Sequence, residues 1–153
     1  MDNKLSYFRF NWVLLNELAI GTAPIKQKHI LKLREEGIKS LISLCSNKEV
    51  KLVSNINHFF NHRSLVLPDH KSGRAPSSFE IKSALEIIFE LREYGPVFVH
   101  CVAAMERSPL VCMAWLIKEK KLSPQQALDY MMQINPGTNP LPSQFKVLKS
   151  LFD

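Results

Sequence analysis

The 153-residue sequence carries little that would staple a chain together or anchor it. Its three cysteines, Cys45, Cys101 and Cys112, form no Cys-x-x-Cys pair, so neither a disulfide framework nor a structural zinc site is expected. No apolar stretch approaches the roughly 18 residues of a membrane span, which argues against a membrane protein. Met1-Asp2-Asn3-Lys4-Leu5 lacks the basic-then-apolar pattern of a secretory leader, so a cytoplasmic setting with free thiols is expected. No Lys/Arg run reaches the five or so residues of a nucleic-acid patch. The net charge of +6 therefore favours an anionic partner only mildly, and nucleic acid is not the expected one. Repeats, low-complexity segments and linkers are absent, which leaves one domain over residues 1–153, expected as a monomer.

What is present is ordinary globular composition, 46% hydrophobic and 22% charged. Two short apolar runs, 12–15 and 18–20, read as a hairpin. A helix is expected over 25–36, stopped by Gly37, and a strand over 38–44 ending on Cys45. A weaker helix is read over 47–56, and a strand over 63–67 that Pro68 ends. Residues 69–74 form a polar loop. Ser77-Ser78-Phe79-Glu80 has capping-box spacing and opens a helix that runs to Gly95. Pro96-Val97-Phe98-Val99 is a continuous apolar run suited to a buried central strand. Long helices follow from Ser108 and from Ser123-Pro124, then a Pro/Asn loop over 135–142 and a last helix. Strands alternating with helices give an α/β fold with a largely parallel central sheet flanked by helices.

The chemistry concentrates in His100-Cys101-Val102-Ala103-Ala104-Met105-Glu106-Arg107-Ser108. This segment joins the buried strand to a helix, and ligands of open α/β sheets bind at such junctions. A cysteine there meets backbone N–H groups and a helix dipole that favour the thiolate. Arg107 presents a planar fork that matches phosphate bidentately, and the arc between the two points several N–H groups at one anion. The hydroxyl of Ser108 is placed to stabilise the sulfur as it leaves. Phosphoryl transfer to a thiol also needs an acid for the departing oxygen. Asp69 is the candidate, at the carboxyl end of another strand. Glu106 is the rival, but its charge opposes a bound phosphate, so its side chain is expected to face solvent.

Val99-His100-Cys101 through Arg107-Ser108, with Asp69 upstream, resembles the small dual-specificity branch of the cysteine-based protein tyrosine phosphatases. The resemblance extends over most of the chain, through 17–24, 37–45, 67–69 and 123–128. It implies a phosphatase-type fold and a phosphate loop of Val102, Ala103, Ala104, Met105, Glu106 and Arg107. It further implies attack by Cys101 on phosphorus to form a phosphocysteine, and proton transfer by Asp69 to the leaving oxygen. Asp69 then activates water, and no metal or other cofactor takes part. Asn139 is similar to a family position that braces the loop. Ala104 stands where the family usually has glycine. Glu106, with no lysine in the loop, points to phosphoprotein and away from highly charged inositol lipids. The expected substrate is phosphotyrosine, with phosphoserine and phosphothreonine as further candidates.

His100 reads either as a ring that orients the loop and helps keep Cys101 ionised or as a satisfied core histidine. Arg74 reads as a solvated loop residue, with a contact to substrate at the rim as the alternative, and Cys112 reads as core. Cys45 closes one strand as Cys101 closes another. If those strands are parallel neighbours, their ends lie about 4.8 Å apart, close enough for a disulfide. Cys45 is thus a candidate redox partner, as in some members of the resembled family, and otherwise a small packed residue. Two rival functions remain. A rhodanese-type thiol enzyme would cleave thiosulfate, and a phosphate-recognition module would bind phosphopeptide without turnover.

Overall fold

Phe10–Leu14 (β1) and Leu18–Gly21 (β2) pair antiparallel, forming the hairpin that the two apolar runs predict. The computed structural model describes residues 7–152, so the reading of Met1–Leu5 lies outside the described residues. Asn16 takes a left-handed conformation in the turn, which Asn tolerates. Gly21 ends β2 where a Cβ would stand 2.1 Å from the Arg9 carbonyl oxygen and 2.7 Å from the Phe98 ring. Only glycine fits that crossing.

Three further strands complete the sheet: Ser40–Ser43 (β3), Asn61–Ser64 (β4) and Val97–His100 (β5). The order is β1-β2-β5-β3-β4, parallel throughout except for β1. The helices are Gln27–Glu35 (α1), Ile56–Phe59 (α2), Ser78–Leu91 (α3), Arg107–Lys120 (α4), Pro124–Ile134 (α5) and Pro142–Ser150 (α6). This is the expected α/β architecture. Side-chain alternation sorts the core into two layers. Ile20, Ile42, Val97 and Val99 pack under residues of α3 to α6, while Ala19, Leu41 and Phe98 pack with Ile30 and Leu33 of α1. Helix α4 is buried from Arg107 to Leu116 and touches β2, β5, α3, α5 and α6. An all-round apolar helix belongs in such a place.

The capping predictions hold at atomic level. Ser77 Oγ accepts from Glu80 N at 3.1 Å and Ser77 N donates to Glu80 Oε1 at 2.9 Å. Ser123 and Gln126 repeat the arrangement at 3.1 and 2.9 Å. Two expectations are corrected. Residues 47–55 form no helix, only turns over 47–49 and 54–55 and irregular backbone, with α2 beginning at Ile56. The segment is held by long-range contacts instead, including Val53 N to the Pro24 carbonyl and Glu49 to Arg107. Strand β4 begins at Asn61, two residues before the expected start. It is an edge strand of mostly exposed polar residues, so no apolar alternation marks it. Its pairing runs on irregularly through Leu65 N to Ser43 O and Leu67 N to Leu44 O. The carboxyl ends of β5, β3 and β4 thus open on one edge, at Cys101, at Cys45 to Glu49, and at Asp69.

Candidate active site

Between β5 and α4 the backbone closes an arc in which every carbonyl is tied from outside. Cys101 O accepts from His100 Nδ1 at 2.8 Å, Val102 O from Ala23 N at 3.2 Å, and Ala103 O from Arg9 Nη2. Ala104 O accepts from Asn135 Nδ2, and Met105 O from Asn139 N, each at 2.9 Å; Glu106 O accepts from Leu110 N at 3.0 Å. The peptides are trans, so each N–H lies antiparallel to the carbonyl of its own peptide unit. With six carbonyls held outward, the N–H groups of Val102 through Arg107 turn to the inner side of the arc. That is an anion cradle. Ala104, which stands where the resembled family usually has glycine, takes φ +59° at zero exposure, the left-handed conformation that favours glycine. The loop keeps its shape with alanine because the two carbonyls flanking that residue, Ala103 O and Ala104 O, are both pinned.

Cys101 is 3% exposed at the mouth of the cradle, and its Sγ lies 3.2 Å from Ser108 Oγ. Arg107, at the first turn of α4, donates through Nη1 to Leu44 O, Leu67 O and Glu49 Oε2, and through Nη2 to Glu49 Oε1 at 2.6 Å. The bidentate pair fixes the plane of the guanidinium over the cradle. The Arg107 hydrogen bond also holds the Glu49 carboxyl below the ordinary glutamate range, against the opposing effect of its burial.

Asp69, beyond the end of β4, lines the same cleft of about 400 Å³ as Cys101, Glu106 and Arg107. Its Oδ1 accepts from Lys71 N at 3.0 Å and Ser72 Oγ at 3.1 Å, and so caps a single 3-10 turn over His70–Ser72. The turn aims the carboxyl; it does not tie down both oxygens. Glu106 departs from expectation. It lines the cleft, accepts from Gln144 Nε2 at 3.0 Å and meets His70 Nδ1 at 2.8 Å. Instead of facing solvent it ties the acid loop to the phosphate loop and to α6.

His100 orients the loop through its ring, as one of its two readings had it, but it lends Cys101 no charge. Complete burial pushes its pKa down to about 4, so the ring is neutral. Asn139 braces the loop through its backbone N–H to Met105 O, and its side chain is exposed. The bracing amide side chain is that of buried Asn135, which also donates to Thr138 Oγ1 at 2.9 Å. Arg74 pairs bidentately with Glu80 at 2.7 and 3.0 Å and lines a shallow cavity beside Asp69 and Arg107, and Cys112 is core. Cys45 is a buried free thiol. Strands β3 and β5 are indeed parallel neighbours, but with Ser43 opposite His100 the residue beside Cys101 is Leu44, one short of Cys45. Burial first, then the nearby Cys101 charge, push the Cys45 thiol up to about 12.

Glu49, Asn135 and Arg9 escape the sequence reading. The available signal for Glu49 is its place just after β3, on the edge that also holds Cys101 and Asp69. Asn135 and Arg9 carry no such mark. The two asparagines of the late loop are separable by experiment. Asn135→Ala leaves the Ala104 carbonyl buried without its donor, and a loss of about 1–3 kcal/mol is expected. Asn139→Ala keeps the backbone bond and should cost under about 0.5 kcal/mol. Urea unfolding of both variants checks the contrast; equal losses would remove Asn135 from its bracing role.

The arrangement offers a nucleophile, a hydroxyl on the sulfur, a fixed guanidinium, six inward amides and a carboxyl across the cleft. Comparison with known proteins agrees with this chemistry. A family model for the dual specificity phosphatase catalytic domain matches residues 23–152. The phosphatidylglycerophosphate phosphatase PTPMT2 of Arabidopsis thaliana is 30% identical over 146 residues, covering 94% of this chain and 63% of that protein. Human dual specificity protein phosphatase 5 is 37% identical over 75 residues, 48% of this chain and 20% of the relative. The chain therefore spans less than two thirds of either relative. Among solved structures, PTPMT1 in complex with PI(5)P superposes with a TM-score of 0.81 at 20% identity, covering 93% of each chain. Tk-PTP in its active form gives 0.80 at 23% identity, covering 93% of this chain and 95% of that one, so both share the fold.

Proposed function

The chain belongs to the dual specificity phosphatase family, of the cysteine-based protein tyrosine phosphatase superfamily, and on that premise we propose that it hydrolyses phosphate monoesters through a phosphocysteine at Cys101. The observation that carries this reading is the arc of outward-tied carbonyls around Cys101, which leaves its amides turned inward toward a phosphate-sized anion. The thiolate of Cys101 attacks phosphorus in line with the ester oxygen. The P–O bond breaks, and protonated Asp69 gives its proton to the departing oxygen. Arg107 and the amides hold the three equatorial oxygens as charge develops on them. Asp69, now ionised, takes a proton from water, which attacks the phosphocysteine. Ser108 donates to the sulfur as it leaves, and inorganic phosphate is released.

The cleft favours a substrate with one phosphate. Its carboxylates, Glu49, Asp69 and Glu106, stand against Arg107 and Lys71, with Arg107 already paired to Glu49. A headgroup with several phosphates finds few cations there. Met105, 44% exposed, and Val102 give the cleft an apolar flank that suits the ring of a phosphotyrosyl side chain. Phosphotyrosyl protein is therefore our first reading. Phosphatidylglycerophosphate is the second, favoured by similarity along nearly the whole chain to PTPMT2. The test is turnover with chelator present on phosphotyrosyl peptide, phosphothreonyl peptide, phosphatidylglycerophosphate in mixed micelles, thiosulfate and an inositol bisphosphate lipid. Highest kcat/KM on the phosphotyrosyl peptide is expected. A larger value on phosphatidylglycerophosphate replaces the first reading with the second. Binding without turnover of any of them overturns both.

Asp69→Asn is expected to lower turnover of a phosphopeptide by about 10²–10⁴, the usual contribution of general acid catalysis. An aryl phosphate with a good leaving group should lose far less. Equal losses on both substrates would exclude Asp69 as the proton donor.

Cys45 is proposed as a resolving thiol. Peroxide oxidises Cys101 to the sulfenic acid, releasing water; Cys45 then attacks that sulfur, forming the disulfide and releasing a second water. With its thiol pushed up to about 12, Cys45 reacts slowly at neutral pH. Peroxide inactivation reversed by dithiothreitol, with a mapped Cys45–Cys101 bridge, is expected, turning irreversible in Cys45→Ser. Over-oxidised Cys101 beside free Cys45 in the unaltered protein would overturn this.

A further inference from the structure

A polar line crosses the otherwise apolar α1 face of the sheet and ends on the nucleophile's own carbonyl. Ser43 on β3 and His100 on β5 are register partners, and His62 on β4 lies two residues before Ser64, the β4 partner of Ser43. All three side chains therefore leave the same face. Ser43 Oγ lies 2.6 Å from His100 Nε2 and 2.7 Å from His62 Nε2, while His100 Nδ1 reaches Cys101 O at 2.8 Å. On the outer side His62 Nδ1 lies 3.0 Å from Oδ1 of the Asn57 amide on α2. Ser43 and His100 are 2% and 0% exposed, and His62 is half-buried at the sheet edge.

We propose that His62 is a positioning residue for the phosphate loop: its Nε2–H, acting through Ser43, fixes the His100 ring in the form whose Nδ1–H holds the Cys101 carbonyl. The direction of the line follows from its inner end. A carbonyl oxygen only accepts, so His100 Nδ1 carries the hydrogen. A neutral imidazole then has a lone pair on Nε2, and Ser43 must donate its hydroxyl proton there. The Ser43 oxygen in turn accepts, and the group beside it is His62 Nε2–H. With hydrogen on Nε2, His62 Nδ1 is a lone pair, so the exposed Asn57 amide is assigned end for end from its Oδ1 placement, with Nδ2–H donating to that nitrogen. Without a donor at position 62 the Ser43 oxygen is open to a hydrogen on His100 Nε2. That alternative tautomer leaves a lone pair on Nδ1 facing the Cys101 oxygen. The peptide between Cys101 and Val102 then loses its anchor, and with it the aim of the Val102 N–H, the first amide of the cradle.

The tautomer of His100 is read directly by nitrogen-15 NMR of the imidazole rings, independently of any activity. The kinetic consequence rests on the phosphatase reading above. In the unaltered protein His100 should show hydrogen on Nδ1. His62→Leu removes the donor from a half-exposed site, and a shift of His100 toward the Nε2–H form is expected. With it should come a loss of about tenfold in kcat, the lower end of what partners of a directly acting group contribute, with KM changed less than about threefold. His62→Gln supplies an amide donor and should restore both tautomer and kcat. Ser43→Ala cuts the line and should reproduce His62→Leu. His100 remaining in the Nδ1–H form in His62→Leu, or a loss that His62→Gln does not rescue, would overturn the proposal. If the unaltered protein turns over no phosphate ester, the phosphatase reading falls while the tautomer response still decides this one.

Discussion

Cys101→Ser is expected to lower turnover by at least about four orders of magnitude, as loss of a catalytic nucleophile does, while leaving phosphate binding nearly intact. The change replaces one atom. Serine fits the 3%-exposed site, and its oxygen still faces Ser108 Oγ. Neither the arc of tied carbonyls nor Arg107 depends on the sulfur, so the cradle persists. A serine hydroxyl has no general base beside it here. Inhibition constants for vanadate or inorganic phosphate should therefore stay within a few-fold while kcat falls to background. Retained turnover in this variant would remove Cys101 from the chemistry.

Arg107→Lys is expected to lower kcat/KM by about 10²–10³, the scale seen on removing a preorganised donor from developing charge. A lysine ammonium is a point charge and cannot reproduce the planar fork. The structure adds a second cost. Arg107 donates to Leu44 O, to Leu67 O and to both Glu49 oxygens, so it joins the segments after β3 and β4 to the start of α4. Lysine leaves some of these acceptors without donors, and a stability loss of about 1–3 kcal/mol should accompany the kinetic loss. Glu49→Gln separates the two effects. It keeps one acceptor for Arg107 and removes the carboxylate charge, so it should disturb guanidinium orientation and cost less in kcat/KM than Arg107→Lys. A larger loss for Glu49→Gln than for Arg107→Lys would mean that the guanidinium acts only as a structural tie.

The placement of Cys101, Arg107, Ser108 and Asp69 was legible because each stands at the carboxyl end of a strand or at a helix start marked by local pattern. Capping residues were legible for the same reason: Ser77 with Glu80 and Ser123 with Gln126 act within three residues of each other. What escaped acts across the chain. Arg9 reaches Ala103 over 94 positions, Glu49 reaches Arg107 over 58, and Asn135 reaches Ala104 over 31. No periodicity encodes such pairs. Strand β4 was displaced in the reading because an exposed edge strand has no apolar face to alternate. The sequence predicts a helix over 47–56 where the structure has turns, because the segment is held by Pro24 and Arg107, partners distant in sequence. Glu106 was assigned to solvent on charge alone; His70 and Gln144 supply the partners that bring it into the cleft.

The claim on which the account turns is that phosphate passes through sulfur. Rapid acid quench of Asp69→Asn during turnover of an aryl phosphate with a good leaving group, followed by peptide mass spectrometry, reads this directly. With that leaving group the variant forms the intermediate without an acid but lacks the base that activates water, so the intermediate should accumulate. A phosphoryl group on the peptide containing Cys101, absent from Cys101→Ser, is the predicted result. Continued turnover with no phosphoryl group on Cys101, or with the label on another residue, would contradict it.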